Sequence, residues 1–484
     1  MTTIGAVALL LAIAAFLFFH RMADRDLWSS HEARAGQNAA MMLRTGCWGL
    51  PQLCDGHPEL QKPPLYYWLV ALIAQQQGGM VDAWAVRLPA AVAALAGVLL
   101  LFGLLASRGR PVAGLVAALV LATAVHYTWL ARVGRIDMPL ALTVSVVVVC
   151  FYLAPSGGFA LRLLGYFAIA AAVMLKGPIG VILPGAVLIA FACIEGNARP
   201  GKLLRSSLWW GVPLVLALTV PWFWWVNEKT NGTFFRVFFL HHNIDRGLGS
   251  ADDLRVYPWW FYGPRWLVDF LPWTPLMLIA LVYFFRSGRW REDPEARLGF
   301  AWFAAVFVVL SCAGFKRADY LLPAYPGAAL LFGAVAEHWY QMSLRPRRLA
   351  GAFAVLVTAC LVGWGVFVHQ VLPRWEPALS QRDFAQAIRR YVPPPDCIHF
   401  FRAESHELAF HVGFPIDTFL EWENLDIWAG RPGIHYIVMP VGCAAEWSEH
   451  VTSGRLVELL RNTDLAPGIP HHQQLVLVRT DNSP

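Results

Sequence analysis

The sequence predicts an all-α polytopic membrane protein with about eleven transmembrane helices and a small C-terminal α/β soluble domain. Of the 484 residues, 57% are hydrophobic and only 14% are charged, whereas soluble domains carry about 25% charged residues. Apolar stretches close to the roughly 20 residues that cross a bilayer recur from Thr2 to about Val371. From Pro373 onward the composition turns polar and no further stretch of this kind follows. These observations exclude a soluble protein.

The first apolar run, from Ile4 to Phe19, is predicted to be a retained helix. It lacks the basic segment that opens a signal peptide, and RMADRDLW after it offers no small-residue cleavage site. Ten more spans bring the predicted total to eleven. They are expected near Ala85–Ala106, Val112–Leu130, Met138–Leu153, Leu161–Leu175, Ile179–Ile194, Leu208–Val226, Trp266–Phe285, Leu298–Gly314, Tyr320–Ala336 and Ala350–Val371.

The outer loop 20–65 is predicted to carry amphipathic helices. In SSHEARAGQNAAMMLRTG, Ser29 or Ser30 can cap a helix, Glu32 lies in its first turn and Gly46 follows its end. Gly36 weakens this prediction, because an interior glycine costs about 1 kcal/mol against alanine. The following PPLYYWLVALIA is short for a span, and its aromatic residues are typical of the membrane interface.

Arginine and lysine in the short loops predict the orientation of the chain. One side holds most of them and is therefore expected to be cytoplasmic. The expected location is the inner (plasma) membrane, which the chain would cross several times. The residues on that side are Arg108, Arg110, Arg162, Arg199, Lys202, Arg205, Arg286, Arg289, Arg291, Arg297, Arg345, Arg347 and Arg348. Because the positive charge is scattered over loops rather than gathered into one patch, no nucleic-acid partner is expected.

Two domains are predicted, a transmembrane domain over residues 1–372 and a small soluble α/β domain over residues 373–484 on the outer face. In the second domain DCIHFF, GIHYIVMPVG and QQLVLVRT are expected to be strands, and ESHELAFHVG a short helix or strand. Eight cysteines show no CxxC motif. The pairs Cys47–Cys54 and Cys397–Cys443 could form disulfides in an oxidising compartment, and the sequence leaves this open.

Basic residues recur at the predicted outer ends of the spans, beside prolines, glycines or aromatic residues. Ionisable groups at membrane depth tend to mark substrate sites, and converging lysine and arginine side chains suit a phosphate group. Snorkelling anchors at the interface are the alternative explanation. The residues concerned are Lys62, Lys176 and Lys316 of the five lysines, then His241, His242, Asn243 and Arg246, and finally Arg132, Arg135 and Asp137.

Three sets of motifs carry a resemblance that covers most of the first 340 residues. They are HEAR (His31–Arg34) followed by QKPPLYYW (Gln61–Trp68), HHNIDR (His241–Arg246) followed by PWWFY, and KRADYLLPAYP (Lys316–Pro326). With them the chain resembles the bacterial membrane glycosyltransferases that include the lipid A aminoarabinose transferase and the protein O-mannosyltransferases. The chain departs from the family pattern at three acids, since His31, Gln61 and His241 stand where the family has carboxylates.

The resemblance implies a GT-C fold and an enzyme. Members of the family take a sugar from a polyprenyl-phosphate donor and pass it to a lipid, glycan or protein acceptor on the outer, periplasmic face, usually with inversion at the anomeric carbon. Membrane lipids are the other expected partners. No cofactor is certain, and a divalent metal is possible but has no ligand spacing in the sequence. A catalytically inactive binder of lipid-linked sugars, or a transporter of lipid or sugar, is the alternative.

The site residues follow from the same comparison of motifs. Glu32 or His31 is expected to accept the acceptor's proton, with Asp137 as a further catalytic candidate that could bind the sugar or the acceptor. Cations are expected to neutralise the departing phosphate. Arg34 could hold Glu32 or touch the phosphate. The expected substrate- and phosphate-binding residues are Arg34, Lys62, His242, Asn243, Arg246, Lys316, Arg317 and Tyr320.

Overall fold

The structure is a computed structural model that describes residues 2–196, 199–245, 247, 249, 256–403, 405–452, 455–466 and 468–481. The chain divides into two compact units. The first, called here the helical unit, comprises Met1–Met22, Leu60–Leu69 and Arg87–Gly365. The second, called the mixed unit, comprises Ala23–Glu59, Val70–Val86 and Val366–Pro484.

The helical unit is built from apolar α-helices. They are Thr3–Ala14, Ala83–Ser107, Pro111–Thr123, Val125–Ala131, Asp137–Lys176, Ile179–Glu195, Arg199–Lys229, Tyr262–Asp269, Thr274–Arg286, Pro294–Cys312, Tyr325–Met342 and Pro346–Val366. Helical turns of other pitch are Ala15–Phe19, Phe235–Asp245, Trp259–Phe261 and Ala318–Ala324. In the described part of the chain, six helices are long and apolar enough to cross a membrane, or eight if two bent pairs each form one span. The helical membrane fold is thus observed, but the predicted count of eleven is not confirmed.

Two of the predicted spans are bent rather than continuous. The predicted span Val112–Leu130 consists of two helices that meet at 69°, and Trp266–Phe285 contains a bend of 114°. At the first bend, Ala124 has extended backbone angles and the amide of Val125 donates to the carbonyl of Leu271 (3.0 Å). In the second, Pro272 lies in the connection, where it has no amide to continue the helix.

A helical hairpin brings two distant charged residues to the same end of the unit. The 40 residues Asp137–Lys176 form two helices that reverse at Gly158, whose φ of 67° suits glycine. The two arms, Asp137–Ala154 and Gly158–Lys176, have 18 and 19 residues. Because the arms match in length, the first residue of one and the last of the other lie together.

A cluster of ion pairs holds the opposite, predicted cytoplasmic set of helix ends. The Arg110 guanidinium contacts Asp293 (2.8 Å), Glu337 (2.7 Å) and Glu295 (3.1 Å). Asp293 also caps the helix Pro294–Cys312 by accepting from the amide of Ala296 (2.9 Å). Buried carboxylates need such partners, so this cluster fixes three helix ends against one another.

The mixed unit contains a five-stranded sheet with helices on both faces. Its strands are β1 (Ile398–Phe401), β2 (Ile416–Phe419), β3 (Ile434–Pro440), β4 (Arg455–Arg461) and β5 (Leu475–Asp481). They lie in the order β2-β1-β3-β5-β4, with β2, β1 and β3 parallel and β5 antiparallel to both β3 and β4. The helices are Ser30–Thr45, Leu372–Leu379, Arg382–Tyr391, His406–Val412 and Trp422–Ala429, with most of Leu65–Gln76. Strands β1, β3 and β5 and the helix at ESHELAFHVG are as predicted, and β2 and β4 are additional.

The predicted helix of the first loop is present as Ser30–Thr45, and it ends at Gly46 with φ 70°. Its interior glycine has a structural reason. A β-carbon added at Gly36 would lie 2.5 Å from Cε2 of Phe410, on the helix His406–Val412. Close approach of the two helices therefore requires glycine at this position.

Candidate functional site

The hairpin ends form the centre of a charged cluster in the helical unit. Lys176 Nζ donates to Asp137 Oδ1 at 2.6 Å, and Arg135 Nε lies 3.2 Å from Asp137 Oδ2. Asp137 is only 3% exposed. Both residues also sit at helix ends that favour their charge, the carboxylate at an N-terminus and the ammonium at a C-terminus. Lys62 is close enough to Asp137 to interact with its charge.

The segment Ala318–Ala324 adds a second layer to this cluster. Arg135 Nη1 contacts Asp319 Oδ2 at 2.5 Å, and Arg317 Nε lies 3.7 Å from the same oxygen. The Lys176 ammonium lies over the ring of Tyr320, with Nζ 3.9 Å from the ring centroid. Burial raises the pKa of the Asp319 carboxyl, but the hydrogen bond from His126 and the charge of Arg135 outweigh this and hold its pKa below the usual value.

Among the residues and contacts that the structure describes, the cluster carries more positive than negative charge. It holds five cations and three carboxylates, before any histidine is counted. The cations are Lys62, Arg135, Lys176, Arg265 and Arg317, and the carboxylates are Asp137, Asp269 and Asp319. An excess of positive charge beside buried carboxylates favours an anionic ligand, and a phosphate group has the chemistry to supply that charge.

The other cation predicted for this site, Lys316, is occupied elsewhere. Its side chain is buried (3% exposed), and its ammonium donates to the carbonyl of Tyr257 (3.1 Å) and to the carbonyl of Ala313. The described contacts therefore do not bring Lys316 to Asp137. Burial and two carbonyl partners assign it a role in holding the loop that precedes Ala318.

The predicted residues His242 and Asn243 lie together on the turn Phe235–Asp245. The Asn243 amide donates to the carbonyl of Phe238 (2.6 Å), and the ring centroids of His241 and His242 are 4.9 Å apart. The prediction for Arg246 lies outside the described residues.

The predicted base candidates belong to the mixed unit. Glu32 is fully buried, and its two oxygens accept from Arg25 at 3.1 and 3.5 Å. His31, its neighbour in the first helical turn, is partly exposed. Arg34 pairs with Glu59 rather than with Glu32, because residues two apart on a helix do not face each other.

A second buried carboxylate, Asp26, braces the segment before this helix. Both of its oxygens contact Nε2 of His411 (2.7 and 2.9 Å), and the Ser380 hydroxyl donates to it at 2.7 Å. Burial raises the pKa of Asp26, but the hydrogen bond and charge of His411 outweigh this and hold it well below the usual value. Asp26 therefore holds in place the residues that precede the helix Ser30–Thr45.

No group of three or more His, Cys, Asp or Glu side chains that could hold a metal ion occurs within the described residues. All eight cysteines lie in the described part of the chain and are free thiols. The expected binding residues did not include Lys176, and the sequence analysis did not select His126, Asp269 or Asp319. Their signal was available, because each is an ionisable residue within or beside an apolar run.

Comparisons with known proteins agree with this architecture. The family model described as dolichyl-phosphate-mannose-protein mannosyltransferase matches residues 61–225, which include Lys62, Asp137 and Lys176. A crystal structure of ArnT from Cupriavidus metallidurans bound to undecaprenyl phosphate covers all of this chain with a TM-score of 0.83 at 19% identity, and 99% of that chain is covered. An archaeal oligosaccharyltransferase from Archaeoglobus fulgidus covers 93% of this chain with a TM-score of 0.59 at 12% identity and 71% coverage of its own length. The resemblance to the GT-C membrane glycosyltransferases that the motifs predict is confirmed.

The sequence is also similar to aminoarabinose transferases. The undecaprenyl phosphate-alpha-4-amino-4-deoxy-L-arabinose arabinosyl transferase 1 of Pseudomonas fluorescens is 30% identical over 366 residues, which are 72% of this chain and 62% of that protein. An uncharacterized protein of Aquifex aeolicus is 27% identical over 75% of this chain and 79% of its own length. The chain spans about three fifths of the length of the named transferase.

Proposed function

We propose that this protein is an integral membrane glycosyltransferase that moves a sugar from a polyprenyl-phosphate donor to a lipid, glycan or protein acceptor. The observation that carries the proposal is the excess of positive charge around the Asp137–Lys176 pair in the helical unit. The names of the similar transferases, and the undecaprenyl phosphate in the related ArnT structure, support the choice of donor. The protein would lie in the inner membrane with about eleven spans, residues 373–484 and the site facing the periplasm.

In the proposed reaction an acceptor oxygen attacks the anomeric carbon of the sugar. The new carbon–oxygen bond forms as the bond to the donor phosphate breaks, so the configuration inverts and polyprenyl phosphate leaves with the bonding electrons. Lys62, Lys176 and Arg317 would stabilise the charge that develops on the phosphate, and the Tyr320 ring would hold Lys176 in place. Arg246 of the HHNIDR motif is a further candidate for this role.

The acceptor's proton must go to a base within hydrogen-bond reach. Glu32 is fully buried against Arg25, whereas His31 is partly exposed, so burial favours His31 as the group that meets the acceptor. Asp137 has a cation bonded to each oxygen, and we assign it to hold those cations and the sugar hydroxyls. The three replaced family acids favour one second candidate, a binder of lipid-linked sugar without transfer.

A transfer assay tests the proposal. Purified protein in lipid would be given radiolabelled polyprenyl-phosphate sugars and a membrane extract of acceptors. We expect wild type to transfer label, and Lys62→Ala and His31→Ala to lose most transfer. Lys229→Ala, an exposed lysine at the end of another span, is the matched control and should retain activity. Donor binding without transfer from any donor would establish the inactive binder instead.

A comparison of variants tests which residue acts as the base. If His31 accepts the proton, Glu32→Gln should keep a measurable rate with a weakened helix start, while His31→Ala should not. The reverse order would return the role to Glu32. Loss of transfer in Asp137→Asn alone would assign the base to the helical unit.

A further inference from the structure

One buried histidine of the helical unit has no part in the proposed reaction. His126 belongs to the short helix Val125–Ala131 that follows the first bend, and it is 8% exposed. Its ring is surrounded by polar groups from three other segments. Nδ1 lies 2.9 Å from the Tyr325 hydroxyl and 3.7 Å from Asp269 Oδ2, and Nε2 lies 3.4 Å from Asp319 Oδ1.

The partners decide how the ring is protonated when it is neutral. An ionised carboxylate only accepts hydrogen bonds, so the nitrogen that faces Asp319 must carry the proton. The other nitrogen, Nδ1, then accepts from the Tyr325 hydroxyl, which has a proton to donate. His126 therefore donates to Asp319 from a position that Tyr325 fixes.

Asp319 passes this orientation on to the centre of the site. One of its oxygens faces His126 and the other contacts Arg135 at 2.5 Å. Arg135 in turn contacts Asp137, whose second oxygen is bonded to Lys176. Each carboxylate oxygen in this series has at least one cation or donor beside it. A rotation of the Asp319 carboxylate would therefore move Arg135 relative to Asp137.

We propose that His126 is a positioning residue, which acts through Asp319 and Arg135 to orient Asp137 and Lys176 for sugar transfer. The inference rests on the proposed function for its catalytic consequence, but the coupling between His126 and Asp319 can be measured without any transfer. His126 itself touches neither donor nor acceptor. Its charged neighbours are Asp319, Asp269 and, through the latter, Arg265.

Three substitutions separate positioning from simple packing. His126→Ala removes both ring nitrogens, and we expect kcat to fall about ten- to hundredfold, since misplacement of about 1 Å can cost that much. His126→Gln keeps an amide nitrogen near the place of Nε2 and should restore most of the rate. His126→Asn is shorter, reaches only toward Tyr325 and should not. Equal rates for the Gln and Asn variants would overturn the proposal.

The affinity for the donor lipid is a second measurement, and it does not change when only the amount of folded protein falls. Stoichiometric titration with undecaprenyl phosphate counts competent sites. The Kd per site is expected to rise about threefold to tenfold in His126→Ala, which is less than the direct loss of a hydrogen bond to a charged group would cause, because His126 acts through Asp319. His338→Ala, a partly buried histidine at the other end of the helix Tyr325–Met342, is the control and should leave Kd unchanged.

A double-mutant cycle completes the test. If His126 acts through Asp319, then His126→Ala should have no further effect in an Asp319→Asn background, whereas additive losses would contradict the inference. The cycle is run on kcat and on the thermal shift that undecaprenyl phosphate produces. If wild type binds the lipid but transfers no sugar, the proposed function fails, and the thermal shifts alone decide whether His126 and Asp319 are coupled.

Discussion

Acid should weaken the mixed unit through His406, which packs beside the helix that carries His31. Gln37 of that helix donates to the carbonyl of His406 at 2.9 Å. Burial lowers the pKa of His406 to about 4, and the nearby Arg34 adds to the effect, while the charge of Glu59 opposes it. The folded state therefore resists protonation of this ring.

The size of the effect follows from the difference between the folded and unfolded pKa. In the unfolded chain a histidine titrates near 6.5. Above that pH the ring is neutral in both states and contributes no pH dependence. Below that pH the unfolded chain binds a proton at this ring, whereas the folded chain does not bind it until the pH approaches 4. The free energy of unfolding therefore decreases as the pH is lowered. At pH 5 the loss from His406 amounts to about 2 kcal/mol relative to pH 7.5.

The measurement is the free energy of unfolding of wild type and His406→Gln at pH 7.5 and pH 5, in the same lipid–detergent mixture. Glutamine does not titrate, so wild type should lose about 2 kcal/mol more than the variant between the two pH values. His450→Gln, which removes an exposed histidine of the same unit, should leave the wild-type pH dependence unchanged. Identical pH dependence in wild type and His406→Gln would refute the reasoning.

Four further outcomes are expected from the same stability assay. Asp26→Asn should destabilise the protein at pH 7 by about 1–3 kcal/mol, and because the pKa of the folded carboxyl is depressed, this deficit should shrink as pH falls below about 4. Gly36→Ala should cost about 1–3 kcal/mol through its contact with Phe410. Gly103→Ala, with no atom near the added carbon, should instead gain about 0.5–1 kcal/mol. Arg110→Ala removes the described cation of Glu337, while Asp293 keeps Arg289 and Glu295 keeps Arg108, and it should cost about 3–5 kcal/mol.

Hydropathy and helix signals were sufficient to locate most helices. A segment that crosses a membrane must hydrogen-bond its own backbone groups, so each span is one continuous apolar helix-forming segment. These signals were not sufficient to find the bends. The bend at Ala124 has no proline or glycine at its position, and it depends on a hydrogen bond from Val125 to Leu271, about 146 residues further along the chain. A contact of that range has no trace in local sequence. The two strands missed in the tail, β2 and β4, lie at the edges of the sheet. Strand β2 has only four residues, and β4 has a register shift between Glu458 and Leu460, so neither gives a long regular alternation.

Several motif residues lie in the charged cluster, but the motifs did not show which of its side chains pair with one another. Asp137 and Lys176 were each visible as charges at the end of a span, yet their contact depends on two hairpin arms of nearly equal length. Lys316 was visible in the same way, and it bonds to backbone carbonyls instead. The prediction that Arg34 could hold Glu32 neglected helix geometry, because residues two positions apart point to different sides of a helix.

The three replaced acids bear on what the charged cluster requires. In a family pattern with Glu at position 61, that carboxylate would lie next to Lys62 in the sequence and offset its charge. Here Gln61 leaves that charge to other partners, and His241 in the HHNIDR motif removes a second negative charge. The carboxylates that remain in the helical unit's cluster are each bonded to a cation. The replacement of these acids therefore increases the excess of positive charge that a bound phosphate would neutralise. It also leaves fewer motif carboxylates that could act as the base, which favours His31 in that role.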